Sequence, residues 1–181
     1  IPHDAKSRAG GVMYTDYALG RFFAEASKQP WFGNTIFLIT ADHCASSAGR
    51  TEIPLEKYHI PAVILAPGLV EPCEVDGIVS QIDLMPTLFS LLNMSYDSHF
   101  YGRSIFDPAY VNRAFIATYQ DLGYLEGDTF TILSPVRRFE QYRVVPTEEN
   151  PHHLEAMERK DAVQVDRAIG YYQTSCKWNK R

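Results

Sequence analysis

Cysteine is scarce in this sequence: Cys44, Cys73 and Cys176 are the only three in 181 residues, and none forms a CxxC pair. That excludes a disulfide scaffold and a zinc ribbon, leaves room for one disulfide, and leaves the redox compartment open. Long hydrophobic runs are missing too. No apolar stretch approaches the roughly 18–20 residues needed to cross a bilayer, and no signal peptide opens the chain. The first residue is Ile1 rather than Met, so the expectation is a piece of a longer protein, and these absences concern the piece alone. Excess positive charge is also absent. Lys+Arg 17 against Asp+Glu 22 give a net charge of −5, which speaks against a general nucleic-acid binder. There is no internal repeat, low-complexity block or clear linker, and 146–151 is the nearest thing to a joint.

What is present is a globular balance. The chain is 45% hydrophobic and 13% aromatic, enough to build a sizeable core. Helical spacing of Val12, Leu19, Phe22, Phe23 and Ala26 predicts a helix over 7–26. The run 35–40 is continuous, β-branched and aromatic, and reads as a strand buried on both faces; 61–67 reads as a second one. A helix is expected over 80–92, starting near Asp83 because Pro86 fits only in a first turn. Further strands are expected at 114–118, 130–133 and 142–145, the last two as a hairpin or edge pair. An amphipathic helix is expected over 154–171, followed by the basic tail 176–181. The order implies an α/β fold: a mixed, mostly parallel sheet sandwiched by helices, with an antiparallel extension late in the chain.

Asp42-His43 is the most informative pair. It lies two residues past a buried strand, and ligands gather at the carboxyl ends of strands in open α/β sheets. Carboxylate and imidazole are both ligands for a divalent metal; the plainer reading is a solvated turn with a capping Asp. His59 stands at the mouth of the next strand, on the same edge as His43 if the two strands run parallel. It reads as a substrate contact or as a histidine bonded to a loop carbonyl. Lys57, Arg50 and Thr51 are candidates to contact an anionic head group, or ordinary loop residues. The adjacent His152-His153 reads as surface.

A second pattern overlaps the first. His43-Cys44 followed by Arg50-Thr51 fits H-C-x5-R-[ST], the phosphate cradle of cysteine-dependent tyrosine phosphatases, with Cys44 as thiolate nucleophile and Arg50 holding the anion. That loop needs a helix beginning close to its arginine. Here Pro54 and Pro61 interrupt the following residues and a strand comes next, so Cys44 reads better as a small packed thiol.

Five segments in order carry a resemblance. Thr35 to Thr40 with Ala41-Asp42-His43 is similar to the T-x-x-x-x-T-x-D-H segment of the alkaline phosphatase superfamily. More closely, it resembles the sulfatase-fold branch holding lipoteichoic acid synthases and phosphoglycerol transferases. Residues 14–23 resemble that branch's preceding helix, and 58–68 its next strand. Ser80 to Leu88 resembles its D-x-x-P-T-L helix, and Tyr101-Gly102-Arg103-Ser104 its G-R-S-L turn. The match is best over 1–112 and looser over 113–181, the C-terminal strands and helix.

The resemblance implies that residues 1–181 are the C-terminal part of one catalytic domain. It implies that Asp42 and His43 bind one divalent metal ion, with Mn, Mg, Zn and Ca not distinguished. The nucleophile and another acidic ligand would come from the N-terminal half of the same domain, so this chain alone would not catalyse. The implied activity is phosphoglycerol transfer or phosphodiester or sulfate ester hydrolysis, with His59, Arg50 and Lys57 lining the pocket. A sulfatase proper is the alternative; Ala45-Ser46-Ser47 stands where many sulfatases carry Gly-Glu, which favours the phosphoglycerol side. The implied substrate is an anionic lipid head group or glycan. The implied location is the inner or plasma membrane, anchored by a segment outside this chain, with the catalytic domain outside the cytoplasm.

Overall fold

We describe residues 6–44 and 53–178 of a computed structural model. The chain divides into two compact units, Ile1–Asp42 with Ile60–Glu74, and His43–His59 with Val75–Arg181.

In the first unit, helix α1 spans Arg8–Ala26, and Ser7 caps it by accepting from the Gly10 amide at 3.0 Å. Strand β1, Phe37–Thr40, follows a single 3-10 turn at Phe32–Asn34. Phe37 is the apolar anchor: its ring meets those of Phe22, Phe23, Trp31 and Phe32 at 5.2–6.3 Å between centroids. Such edge-to-face and tilted contacts join helix to strand. Strand β2, Ala62–Leu65, pairs with β1 antiparallel, with Thr40 opposite Ala62 and Phe37 opposite Leu65.

This corrects two expectations. Both described sheets are wholly antiparallel, so the α/β class stands while the mostly parallel pairing does not. A parallel return needs a crossover, usually a helix; between β1 and β2 the described residues form only a 3-10 turn at Leu55–Lys57. Nor are these strands buried on both faces. β1 is half-buried, and Val63 and Leu65 of β2 are exposed, because a two-stranded ribbon has few neighbours to cover it.

The second unit is built on a five-stranded meander in sequence order. Its strands are β3 (Arg113–Ala117), β4 (Leu122–Glu126), β5 (Thr129–Ser134), β6 (Arg138–Val144) and β7 (Leu154–Ala156). Ile53, Leu55, Ile116, Leu125 and Phe130 form its buried centre. β5 and β6 realise the expected hairpin. β4 has no counterpart in the sequence reading, because Gly123 and two flanking carboxylates disguise it. The glycine is required there: a Cβ would stand 2.8 Å from the Phe130 ring.

The last helix, α3, spans Ala162–Trp178 rather than 154–171. Residues 154–156 are taken into the sheet by β6, and Asp161 starts the helix by accepting from the Gln164 amide at 3.1 Å. Beneath α3 lies a buried polar cluster. Thr131 donates to Gln164 Oε1 at 2.7 Å, and Gln141 Nε2 donates to Thr131 Oγ1 at 2.9 Å. Gln164 Nε2 then donates to the carbonyls of Glu126 and Thr129.

Helix α2, Leu84–Leu91, is entered through a 3-10 turn at Gln81–Asp83, close to the expected start. Ser80 and Asp83 make a reciprocal capping box. The Asp83 carboxylate also accepts from the Arg103 amide (2.8 Å), the Tyr110 hydroxyl (2.9 Å) and Arg113 Nη2 (3.1 Å). Arg113 is in turn covered by the rings of Tyr110, Phe115 and Tyr171. Gly102 lies so close to the Ile82 carbonyl that no Cβ fits. The Ser80 to Leu88 and Tyr101 to Ser104 segments are therefore one structural assembly that holds a helix and a turn together.

Candidate functional site

β1 ends at Thr40, whose hydroxyl donates to the Pro61 carbonyl at 3.1 Å and ties the two strand ends together. Asp42 and His43 follow directly, both exposed. His43 Nδ1 lies 2.9 Å from the Cys44 carbonyl. A carbonyl only accepts, so Nδ1 carries the proton and, in the neutral ring, the lone pair sits on Nε2. This is the arrangement that orients a ligating histidine.

Cys44 is half-buried, and its thiol donates to the His59 carbonyl at 3.2 Å. That bond places the His43 segment beside His59. The shared edge follows from antiparallel pairing, which sets the end of β1 against the start of β2; parallel strands would have put them at opposite ends. The His59 ring meets that of His152 edge-to-face, 5.5 Å between centroids. His152 lies on a loop fastened by mutual bonds between Thr147 and Asn150 and by its own amide to Asn150 Oδ1. No sequence spacing links residues 59 and 152; the sheet brings His152 over.

Lys57 is half-buried in the 3-10 turn Leu55–Lys57. Arg50 and Thr51 lie outside the described residues. Among the described residues, no group of three or more His, Cys, Asp or Glu converges on a metal position. Asp42 and His43 are suitable donors, hard carboxylate and borderline imidazole, but they are two of the four or more a metal takes. The thiol-phosphatase pattern gains nothing here. Cys44 is engaged with the His59 carbonyl, and the chain from Leu55 makes a 3-10 turn and then a strand, with no helix opening there.

Two concavities among the described residues lie elsewhere. A groove of about 480 Å³ along α1 is lined by Tyr14, Tyr17, Phe22 and Trp31. In the second unit a hollow of about 370 Å³ adjoins Glu126, Asp161 and Arg167. Here Arg167 is paired with Glu126, and the paired carboxylate holds the Arg167 guanidinium's pKa above its ordinary value.

Residues 3–94, just over half of the chain, match the family named Sulfatase. The chain belongs to the sulfatase family. The same grouping emerges from solved structures. A protein in the alkaline phosphatase superfamily from Vibrio parahaemolyticus, whose crystal structure is known, is 30% identical with a TM-score of 0.82. The likeness covers 96% of this chain and 44% of that one. This sulfatase-family chain therefore spans less than half the length of its structural relative. The C-terminal sheet and α3, where the sequence resemblance was looser, are included in the structural likeness.

Proposed function

We propose that this chain contributes Asp42 and His43 to a one-metal ester-cleaving centre acting on an anionic phosphodiester of the phosphoglycerol type. The observation that carries the reading is His43: it directly follows Asp42 at the end of β1, with its Nδ1 proton held by the Cys44 carbonyl. A divalent metal bound there would supply Lewis-acid stabilisation of the reacting ester and lower the pKa of the attacking hydroxyl. The candidate ions are Mn, Mg, Zn and Ca.

The chain's own residues have separable tasks. Asp42 supplies charge, His43 an oriented nitrogen, and Cys44 fixes both His43 and the approach of His59. His59, Lys57 and Arg50 contact the anionic substituent of the substrate, a lipid head group or a glycan. The nucleophile and the remaining ligands come from the N-terminal half of the same catalytic domain. What supports this last point is the 44% coverage of the structural relative and the apolar residues Val12, Met13, Tyr14 and Phe22 left exposed on α1. Sulfate ester hydrolysis is the second reading, favoured by the Sulfatase family match. No described helix is long and apolar enough to cross a membrane; attachment to the membrane, with catalysis outside the cytoplasm, is part of the proposal.

The test is turnover of a chromogenic phosphodiester and a chromogenic sulfate ester by the protein containing the complete catalytic domain. It is run with and without EDTA, with metals added back singly and Cys44→Ser alongside. Chelator-sensitive activity that survives Cys44→Ser is expected, with the phosphodiester preferred. A preference for the sulfate ester moves the assignment to a sulfatase. Chelator-insensitive activity lost with Cys44 overturns the metal reading.

A further inference from the structure

The meander places two of its connections at one end: turn 118–121 between β3 and β4, and turn 135–137 between β5 and β6. The Gly127–Asp128 connection lies at the other end. At the first end Tyr119 is 98% exposed and Val136 86% exposed. Neither is loosely held. Thr118 Oγ1 accepts from the amides of Gln120 and Asp121, which fixes the turn under Tyr119. Val136 and Arg137 both have positive φ, 57° and 59°, a left-handed backbone that β-branched residues rarely adopt. An aliphatic side chain thus stands at a strained, protruding apex where Gly or Asn would fit without cost.

Two exposed guanidinium groups stand at this end. Arg137 and Arg138 are exposed and make no ion pair among the described residues. The neighbouring carboxylates are Asp121, half-buried, and Glu140, which accepts from the Tyr142 hydroxyl. Helix α3 adds to the same side. Its Gln164 bonds near the Gly127 connection, its Tyr172 bonds the Ile116 and Gly123 carbonyls, and Lys177 in its last turn lies further along the same direction.

We propose that this end of the sheet, Tyr119 with Val136, Arg137, Arg138 and Lys177, docks on an anionic lipid bilayer. Guanidinium groups pair bidentately with lipid phosphates. A tyrosine settles at headgroup depth, and a protruding valine reaches the upper acyl boundary. The net charge of −5 does not prevent this, because charges beyond about 8 Å are screened at physiological salt. A nucleic acid would call for a longer basic stripe and stacked rings; the apex here is aliphatic.

The test is cosedimentation of the protein containing the complete catalytic domain with vesicles of phosphatidylcholine alone or mixed with phosphatidylglycerol. Binding to the mixed vesicles only, weakened by salt, is expected. Arg137→Gln with Arg138→Gln should lower partitioning roughly 25-fold, about fivefold per charge, with an unchanged melting temperature. Val136→Asn should weaken binding while raising the melting temperature, since Asn accepts a positive φ. Arg143→Gln, which removes one such charge at the opposite end of the sheet, should leave binding intact, short of the roughly fivefold loss expected for one arginine at the docking end. Equal binding to neutral vesicles, no loss in the double variant, or an equal loss with Arg143→Gln would each overturn the proposal. So would lipid-free self-association, or single-stranded DNA binding, that depends on the same arginines.

Discussion

The Asp83 carboxylate and the Arg113 guanidinium meet at 3.1 Å, with side chains 0% and 3% exposed. A charge pair this dry is held by its surroundings as much as by itself. Asp83 takes further hydrogen bonds from two amides and a tyrosine, and Arg113 donates to the Tyr101 carbonyl. A simple helix cap is worth about 1 kcal/mol. Removing one member of a buried pair costs about 3–5 kcal/mol, because the other charge is left uncompensated. Asp83→Ala should therefore lose several times the cap value in urea denaturation. Adding Arg113→Met should recover part of that loss. A cost near 1 kcal/mol would return Asp83 to a simple cap.

In the intact enzyme, Asp42→Ala and His43→Ala should each lower turnover roughly a thousandfold, the equivalent of several kcal/mol of lost Lewis-acid stabilisation. The melting temperature should barely move, since both side chains are exposed. Cys44→Ser keeps a donor for the His59 carbonyl and should retain most activity. The measurement is kcat with bound metal quantified in the same samples. Full metal content in both alanine variants would remove them from the ligand set.

Gly123→Ala should destabilise the second unit by about 1–3 kcal/mol through overpacking against Phe130. The same substitution in a Phe130→Leu background should cost clearly less. Thermal melts of the four proteins give the coupling. Additivity would mean the glycine answers to something other than that ring.

Alkaline pH should weaken the second unit. Burial pushes the Tyr172 hydroxyl up to about 12. Burial likewise raises Tyr110 and Tyr124, each reinforced by a neighbouring carboxylate. A phenol whose folded pKa exceeds its unfolded value of about 10 binds its proton more tightly in the native state. Its contribution is complete below pH 10 and is lost as pH rises through the folded value. Unfolding free energy should fall above pH 10, and Tyr172→Phe should flatten that fall. Ultraviolet titration of the phenols should show the native protein ionising late. A flat profile to pH 11 would refute the assignment.

Local features were easier to read from sequence than strand pairing. Asp42-His43 stands out because an apolar, β-branched run ends in two metal-type donors, and Asp83 because a proline three residues later marks a first turn. Pairing direction was not readable in the same way. The run Thr35 to Thr40 looks alike in either kind of sheet, and only the register with β2 decides which edge His59 occupies. β4 stayed hidden because its Gly123 reads as a turn when the Phe130 ring that demands it cannot be seen. His152 has no local signal at all; its partner is supplied by tertiary structure alone.

The glutamine–threonine cluster under α3 has one more consequence. Apolar side chains grip a neighbour with little regard for direction, so a helix resting on leucines can slide or roll at small cost. Gln164, Thr131 and Gln141 have donors and acceptors that match in one alignment only, and turning the helix by a single residue would strand several of them away from water. The cluster works as a key cut for one lock. An all-leucine replacement would trade that uniqueness for adhesion, giving a unit that melts higher yet shows several helix positions by NMR.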